Sequence, residues 1–175
     1  MRLYVIRHGQ TEKNRKQLIA DIEEDINENG ILQAVKAGEQ LRKLKIDLIV
    51  CSPALRTRHT LELLNMDLKI PVILDERLIE RDMGIYENEK FENLNWQTFW
   101  NYYDNEYKSL ESMKSVYVRV SNSLNELKEK YKEKNILLVT HGGVGRAIYW
   151  YAKGIPADGN APMDIKNGKI IEYEI

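Results

Sequence analysis

Short apolar runs that alternate with longer helical patterns constrain this chain more than any other feature. Leu3 to Ile6, Leu48 to Val50, Val72 to Leu74 and Ile136 to Val139 have the length and bulk of buried strands. Between the first two runs, Ile31 to Leu44 places Ile31, Ala34, Val35, Gly38 and Leu41 on one helical face, with Asn29-Gly30 as its start. Leu55 to Leu64, Val116 to Tyr131 and Gly143 to Ala152 also read as helices, with Val116, Val120, Leu124 and Leu127 in register. Strands separated by helices imply a largely parallel sheet covered on both faces. The predicted fold is therefore α/β, a three-layer α/β/α sandwich. Near the C-terminus, Asn167-Gly168 lies between Met163-Asp164-Ile165 and Ile170 to Ile175, a hairpin signal that predicts an antiparallel edge to the sheet.

No repeat, low-complexity tract or linker divides the 175 residues, which predicts one domain over 1–175. One segment departs from the alternation. Phe91 to Tyr107 holds 7 of the 15 aromatic residues, and Trp96, Phe99, Trp100, Tyr103 and Tyr107 share one helical face. Such a face predicts a helix packed on the body of the protein. The region at about 88–112 then reads as a short helical cap, whose aromatics can also shape a pocket.

A net charge of −1 leaves no global basic surface for nucleic acid and no polybasic membrane anchor. No apolar run reaches 18 residues and none near the start has signal-peptide length, so the expected location is cytoplasmic. Cys51 is the only cysteine, which excludes an internal disulfide and a cysteine zinc site. Within Leu48-Ile49-Val50-Cys51 it reads as a buried strand residue. No feature of the sequence points to an oligomeric state.

Four groups of polar residues stand just past predicted strands. They are Arg7-His8-Gly9-Gln10-Thr11, Ser52-Pro53-Ala54-Leu55-Arg56, Glu80 with Gly84 and Glu87, and His141-Gly142-Gly143. Ligands bind at the carboxyl ends of strands in open α/β sheets, so two histidines, two arginines and a glutamate are expected to converge. That inventory suits a phosphate monoester, a dianion near neutral pH whose oxygens match planar guanidinium forks. Arg7 and Arg56 can neutralise it from two sides. A neutral imidazole can attack phosphorus, and a carboxylic acid can protonate the departing alkoxide. Two arginines would repel a divalent cation, and no His-x-x-x-His spacing joins His8, His59 and His141, so neither a metal nor a cofactor is implied. His59 reads as a rim or packing residue. The residues alone do not choose Glu80 over Asp82 or Glu87.

Arg7-His8-Gly9-Gln10-Thr11 resembles the signature of the histidine phosphatases, the phosphoglycerate mutase-like superfamily. Ser52-Pro53 through Arg56 to Thr60 is similar to that family's second arginine motif. Leu78-Ile79-Glu80 with Gly84 and Glu87 is similar to its acidic motif, and Thr140-His141-Gly142-Gly143 to its second histidine. The resemblance spans nearly the whole chain, in order. It implies His8 as the phosphorylated nucleophile and Glu80 as proton donor. It implies Arg7, Arg56 and His141 around the phosphoryl oxygens, with Asn14, Gln10 and Gly142 in the substrate site. Tyr86 stands where the family usually has tryptophan, and Asn88 where it usually has glycine. Leu110-Glu111-Ser112 lacks the glycine that often precedes Glu-Ser.

The implied activity is that of a metal-independent, acid-type phosphatase acting on a small-molecule phosphate monoester. Two alternatives stand beside it. One is a phosphoglycerate mutase, which must enclose a bisphosphorylated intermediate, whereas only 33 residues follow Gly142 here. The other is a regulatory domain that binds phosphate without catalysis, which would need the arginines but neither nucleophile nor acid.

Overall fold

The computed structural model describes residues 1–103, 107–161 and 165–175. Five strands form one sheet: β1 (Arg2–Arg7), β2 (Leu48–Cys51), β3 (Val72–Leu74), β4 (Asn135–Thr140) and β5 (Ile170–Glu174), in the order β3-β2-β4-β1-β5. The four strands from β3 to β1 run parallel, and β5 pairs antiparallel with β1 at the edge. Among the described residues six α-helices accompany them: α1 (Glu12–Arg15), α2 (Glu28–Leu41), α3 (Leu55–Asn65), α4 (Trp96–Phe99), α5 (Met113–Lys130) and α6 (Gly142–Lys153).

Successive strand residues point to opposite faces, and that alternation builds two cores. Tyr4, Ile6, Ile49, Cys51, Leu137 and Val139 pack with Ala37 and Leu41 of α2 and Leu61 and Leu64 of α3. Leu3, Val5, Val50, Ile136 and Leu138 pack on the other side with α5 and α6, through Val116, Val120, Leu124, Val144 and Ile148. The sandwich is thus three-layered, as the alternating pattern predicts. Cys51 is fully buried, and burial pushes its thiol up to about 12, so it remains an unreactive core residue.

Local chemistry sets most helix ends. Asn27 caps α2 by accepting the Gly30 N–H at 2.9 Å, two residues before the predicted start at Asn29. Ser112 caps α5 in the same manner from the Ser115 N–H. The predicted inner face of α2 needs one correction: Val35 is 42% exposed, and Ala37 takes its place beside Ala34, Gly38 and Leu41. Leu44 packs on the core from the turn after the helix.

Two further expectations change. Val72 to Leu74 is an exposed edge strand rather than a buried one: it ends the strand order, and among the described residues it pairs with β2 alone. β5 pairs antiparallel with β1 and so forms the predicted antiparallel edge, while Met163 and Asp164 of the predicted hairpin arm lie outside the described residues. The aromatic segment is not one continuous helix. It forms a 3₁₀ turn at Phe91–Asn93, the single turn of α4, and irregular chain at 101–103. Phe99 is buried while Tyr103 is exposed, so the predicted common face does not form.

Candidate active site

Strand register brings the predicted site residues together. Arg7 is paired with Thr140, and Cys51 with Val139, so His8, His141 and Ser52 leave the sheet side by side. The ring centroids of His8 and His141 are 5.3 Å apart. Each ring is held through one nitrogen. His8 Nδ1 lies 2.7 Å from the Gly9 carbonyl oxygen, to which it donates as the Nδ1–H tautomer, so that Nε2 keeps its lone pair. His141 Nε2 is 2.8 Å from the Ser52 hydroxyl, which gives the Ser-Pro motif a positioning role.

Burial is the largest cause that lowers both imidazoles well below the ordinary value of 6.5. The positive charges of Arg56 and Arg7 act in the same direction. Two neutral rings therefore stand beside two cations. Arg56 is 2% exposed and donates from Nη1 to the Asp21 carbonyl at 2.7 Å, which fixes the 16–26 loop over it. Arg7 donates from Nη1 to the Ile165 carbonyl at 3.1 Å.

Tight backbone contact explains several glycines. A Cβ on Gly9 would stand 2.5 Å from the Gly30 carbonyl oxygen, so the loop after β1 lies directly on the start of α2. Thr60 Oγ1 accepts the Gly9 N–H at 2.9 Å and donates to the Arg56 carbonyl, joining the first motif to the second. A Cβ on Gly143 would stand 2.5 Å from Glu80 Oε1 and 2.8 Å from the Trp100 ring. The Gly143 N–H, in the first turn of α6, donates to both Glu80 oxygens at 3.1 and 3.2 Å.

Arg7, His8, Asn14, Arg56, Glu80 and Gly142 line a cleft of about 560 Å³ including its open mouth. His141, its ring centroid 5.3 Å from that of His8, is fully buried. Gln10 is turned aside: its side-chain oxygen accepts from Asn27 and Asn29, each at 3.2 Å, and it does not line the cleft. His59 is held by Asp25 at 3.0 Å, also away from the cleft lining. The resemblance had left a glycine position occupied by Asn88; its φ of 69° lies in the left-handed region that asparagine tolerates.

The sequence reading missed three parts of the site. Asn167, read as a turn residue, donates to the His8 carbonyl at 2.9 Å and to Asn14 Oδ1 at 3.3 Å. Leu18 and Ile19 form a wall, from a loop with no period to read. Arg146 also lines the cleft and lies over the Trp100 ring at 5.2 Å. Its spacing of four from Gly142, one turn along α6, was the available signal. Phe91, Trp96 and Trp100 of the aromatic segment line the cleft as well, so the segment both packs and shapes the pocket.

A mostly parallel five-stranded sheet with one antiparallel edge and helices on both faces is the fold of the phosphoglycerate mutase-like histidine phosphatases. The chain belongs to the histidine phosphatase superfamily (branch 1), whose sequence profile matches residues 3–175. It is 31% identical to the uncharacterized phosphatase PhoE of Bacillus subtilis, over 82% of this chain and 73% of that protein. It is 29% identical, over 99% of this chain and 86% of the other, to a Citrobacter koseri protein named "Probable phosphoglycerate mutase GpmB". The crystal structure of the alpha-ribazole phosphatase from Shigella flexneri superposes with a TM-score of 0.85 at 27% identity, covering 100% of this chain and 91% of that one.

Proposed function

We propose that this protein is a metal-independent, acid-type phosphomonoesterase that hydrolyses a small phosphorylated metabolite through a phosphohistidine on His8. The observation that carries this reading is the free Nε2 of a neutral His8 beside His141, Arg7 and Arg56, with Glu80 in the same cleft. In the first step, His8 Nε2 attacks phosphorus, the bond from phosphorus to the alcohol oxygen breaks, and Glu80 gives that oxygen its proton. In the second, Glu80 takes a proton from water as the water oxygen attacks phosphorus, the P–N bond breaks, and phosphate leaves. Arg7, Arg56 and His141 hold the phosphoryl oxygens in both steps, assisted by Asn14. Arg56 Nε–H is buried with no hydrogen-bond partner among the described residues, as is His141 Nδ1, which carries the ring proton when the Ser52 hydroxyl donates to Nε2; an anion in the cleft would give both donors an acceptor.

The mutase reading draws on the similarity to the GpmB protein. Hydrolysis is favoured because the cleft is open to solvent, with Trp96 of its lining 39% exposed, so water can meet a phosphohistidine. The test is a panel of phosphorylated metabolites that includes 3-phosphoglycerate, assayed for phosphate release with and without EDTA. Phosphate release that survives EDTA is expected. Conversion of 3-phosphoglycerate to 2-phosphoglycerate without phosphate release would install the mutase instead, and a strict magnesium requirement would contradict the mechanism.

A further inference from the structure

Glu111 stands outside the chemistry just described, yet it is one of the most heavily bonded side chains near the site. Its two oxygens pair with Arg119 Nε and Nη2 at 2.8 Å each, a bidentate pair only 18% and 19% exposed. Burial disfavours the charged carboxyl, but the bonds and charge of Arg119, the Asp82 amide and the Ser115 hydroxyl outweigh it and hold its pKa below the ordinary value.

Arg119 then reaches from α5 to the segment that carries Glu80. Its Nη1 donates to the carbonyls of Arg77 and Ile79, both at 2.7 Å, and its Nη2 to the Glu80 carbonyl at 3.2 Å. Thr140 Oγ1 donates to the Leu78 carbonyl at 2.9 Å, and the Glu111 N–H to the Asp82 carbonyl at 3.1 Å. The carbonyls of Arg77, Leu78, Ile79, Glu80 and Asp82 are thus all held from outside their own segment. From Ile79 to Asp82 the chain is neither helix nor strand, so no ladder fixes it. On its other flank, the Arg81 guanidinium donates to the Glu111 and Phe99 carbonyls and lies against the Phe99 and Trp100 rings.

We infer that the Glu111–Arg119 pair is a positioning device for Glu80: by holding residues 77–82 it sets where the acid's carboxyl stands against the Gly143 amide and the substrate. This inference rests on the phosphatase reading, in which Glu80 is the proton donor. A charge pair that served stability alone would have no reason to affect one class of leaving group more than another. A positioning role predicts that selectivity.

The experiment compares kcat and KM for n-propyl phosphate, whose alkoxide must be protonated, with p-nitrophenyl phosphate, whose phenolate needs little help. Glu80→Gln should lower kcat on n-propyl phosphate about 100-fold or more, with a much smaller loss on p-nitrophenyl phosphate. Arg119→Met should reproduce that split at about tenfold or more, with KM for both substrates little changed. In the double variant Glu80→Gln/Arg119→Met, the second substitution should add no further selective loss, because it acts through the first. Arg119→Lys, which keeps the charge but not the planar fork, should recover part of the loss. Equal losses on both substrates in Arg119→Met, with the split intact in Glu80→Gln, would overturn the inference while leaving the phosphatase reading in place. If circular dichroism shows Arg119→Met unfolded, Arg119→Lys and Glu111→Gln decide by the same split. Absence of a split in Glu80→Gln itself would remove the acid assignment, and this inference with it.

Discussion

His8 Nδ1 and the Gly9 carbonyl oxygen lie 2.7 Å apart, so the tautomer of the proposed nucleophile is set by the residue beside it in the chain. The bond occupies Nδ1 and leaves the Nε2 lone pair for the proposed attack on phosphorus. Rapid-quench trapping of the intermediate should therefore yield a phosphohistidine at Nε2, identified by NMR, and an Nδ1 adduct would contradict the geometry. His8→Ala should lower turnover by about 10³-fold or more while the fold persists.

Both imidazoles are held neutral, first by burial and then by the arginine charges. At pH 6.5, where an ordinary imidazole is half protonated, NMR of the free protein should show both rings predominantly neutral. The linkage sign follows. A histidine whose folded pKa is depressed contributes stability that is complete above its unfolded value and lost as pH falls through the folded one. Wild-type stability should therefore decline on acidification below pH 6.5 more steeply than in His141→Gln. Parallel pH profiles for the two proteins would refute the neutral pair.

Gly30 lies against the backbone of Gln10: an added Cβ would stand 2.3 Å from its carbonyl oxygen and 2.8 Å from its nitrogen. Alanine favours helix over glycine by about 1 kcal/mol. Overpacking against backbone, at about 1–3 kcal/mol or more, should win. Gly30→Ala is expected to lower the melting temperature by several degrees and to reduce kcat, since Gln10 is two residues from His8. An unchanged or raised Tm would mean the contact relaxes without cost.

Trp96 and Trp100 stack at 5.8 Å and 20°, with Phe91 edge-on to Trp96 at 4.8 Å. Together with Leu18, Ile19 and Met83 they give the cleft an apolar wall. A substrate whose alcohol carries a flat ring should exploit it. With alcohol leaving groups of similar basicity, 2-phenylethyl phosphate should exceed n-propyl phosphate in kcat/KM by about tenfold or more. Trp96→Ala should shrink that ratio. A ratio near one in the wild type would show that the wall only packs.

The aromatic segment shows where sequence reading stopped. Its composition announced a special region, but helical spacing from Trp96 to Tyr107 implied a face that does not exist, because α4 ends at Phe99. Val72 to Leu74 was legible as a strand but not as an edge, since an apolar run does not reveal what pairs with it. Asn167 looked like a turn residue because a turn and a side-chain donor to His8 make the same demand on the sequence.

The residues themselves determined the strand and helix periods, the two faces of the sheet, and the placing of His8, Arg56, Glu80 and His141 just past the strands. Burial preference and backbone period are local properties, so they can be read along the chain. Tertiary structure alone decided that β1 runs beside β4 and so sets the imidazoles 5.3 Å apart. It alone turned Gln10 away and brought Arg119 to the carbonyls around Glu80. Those outcomes depend on contacts between residues far apart in sequence, which form only when the layers pack.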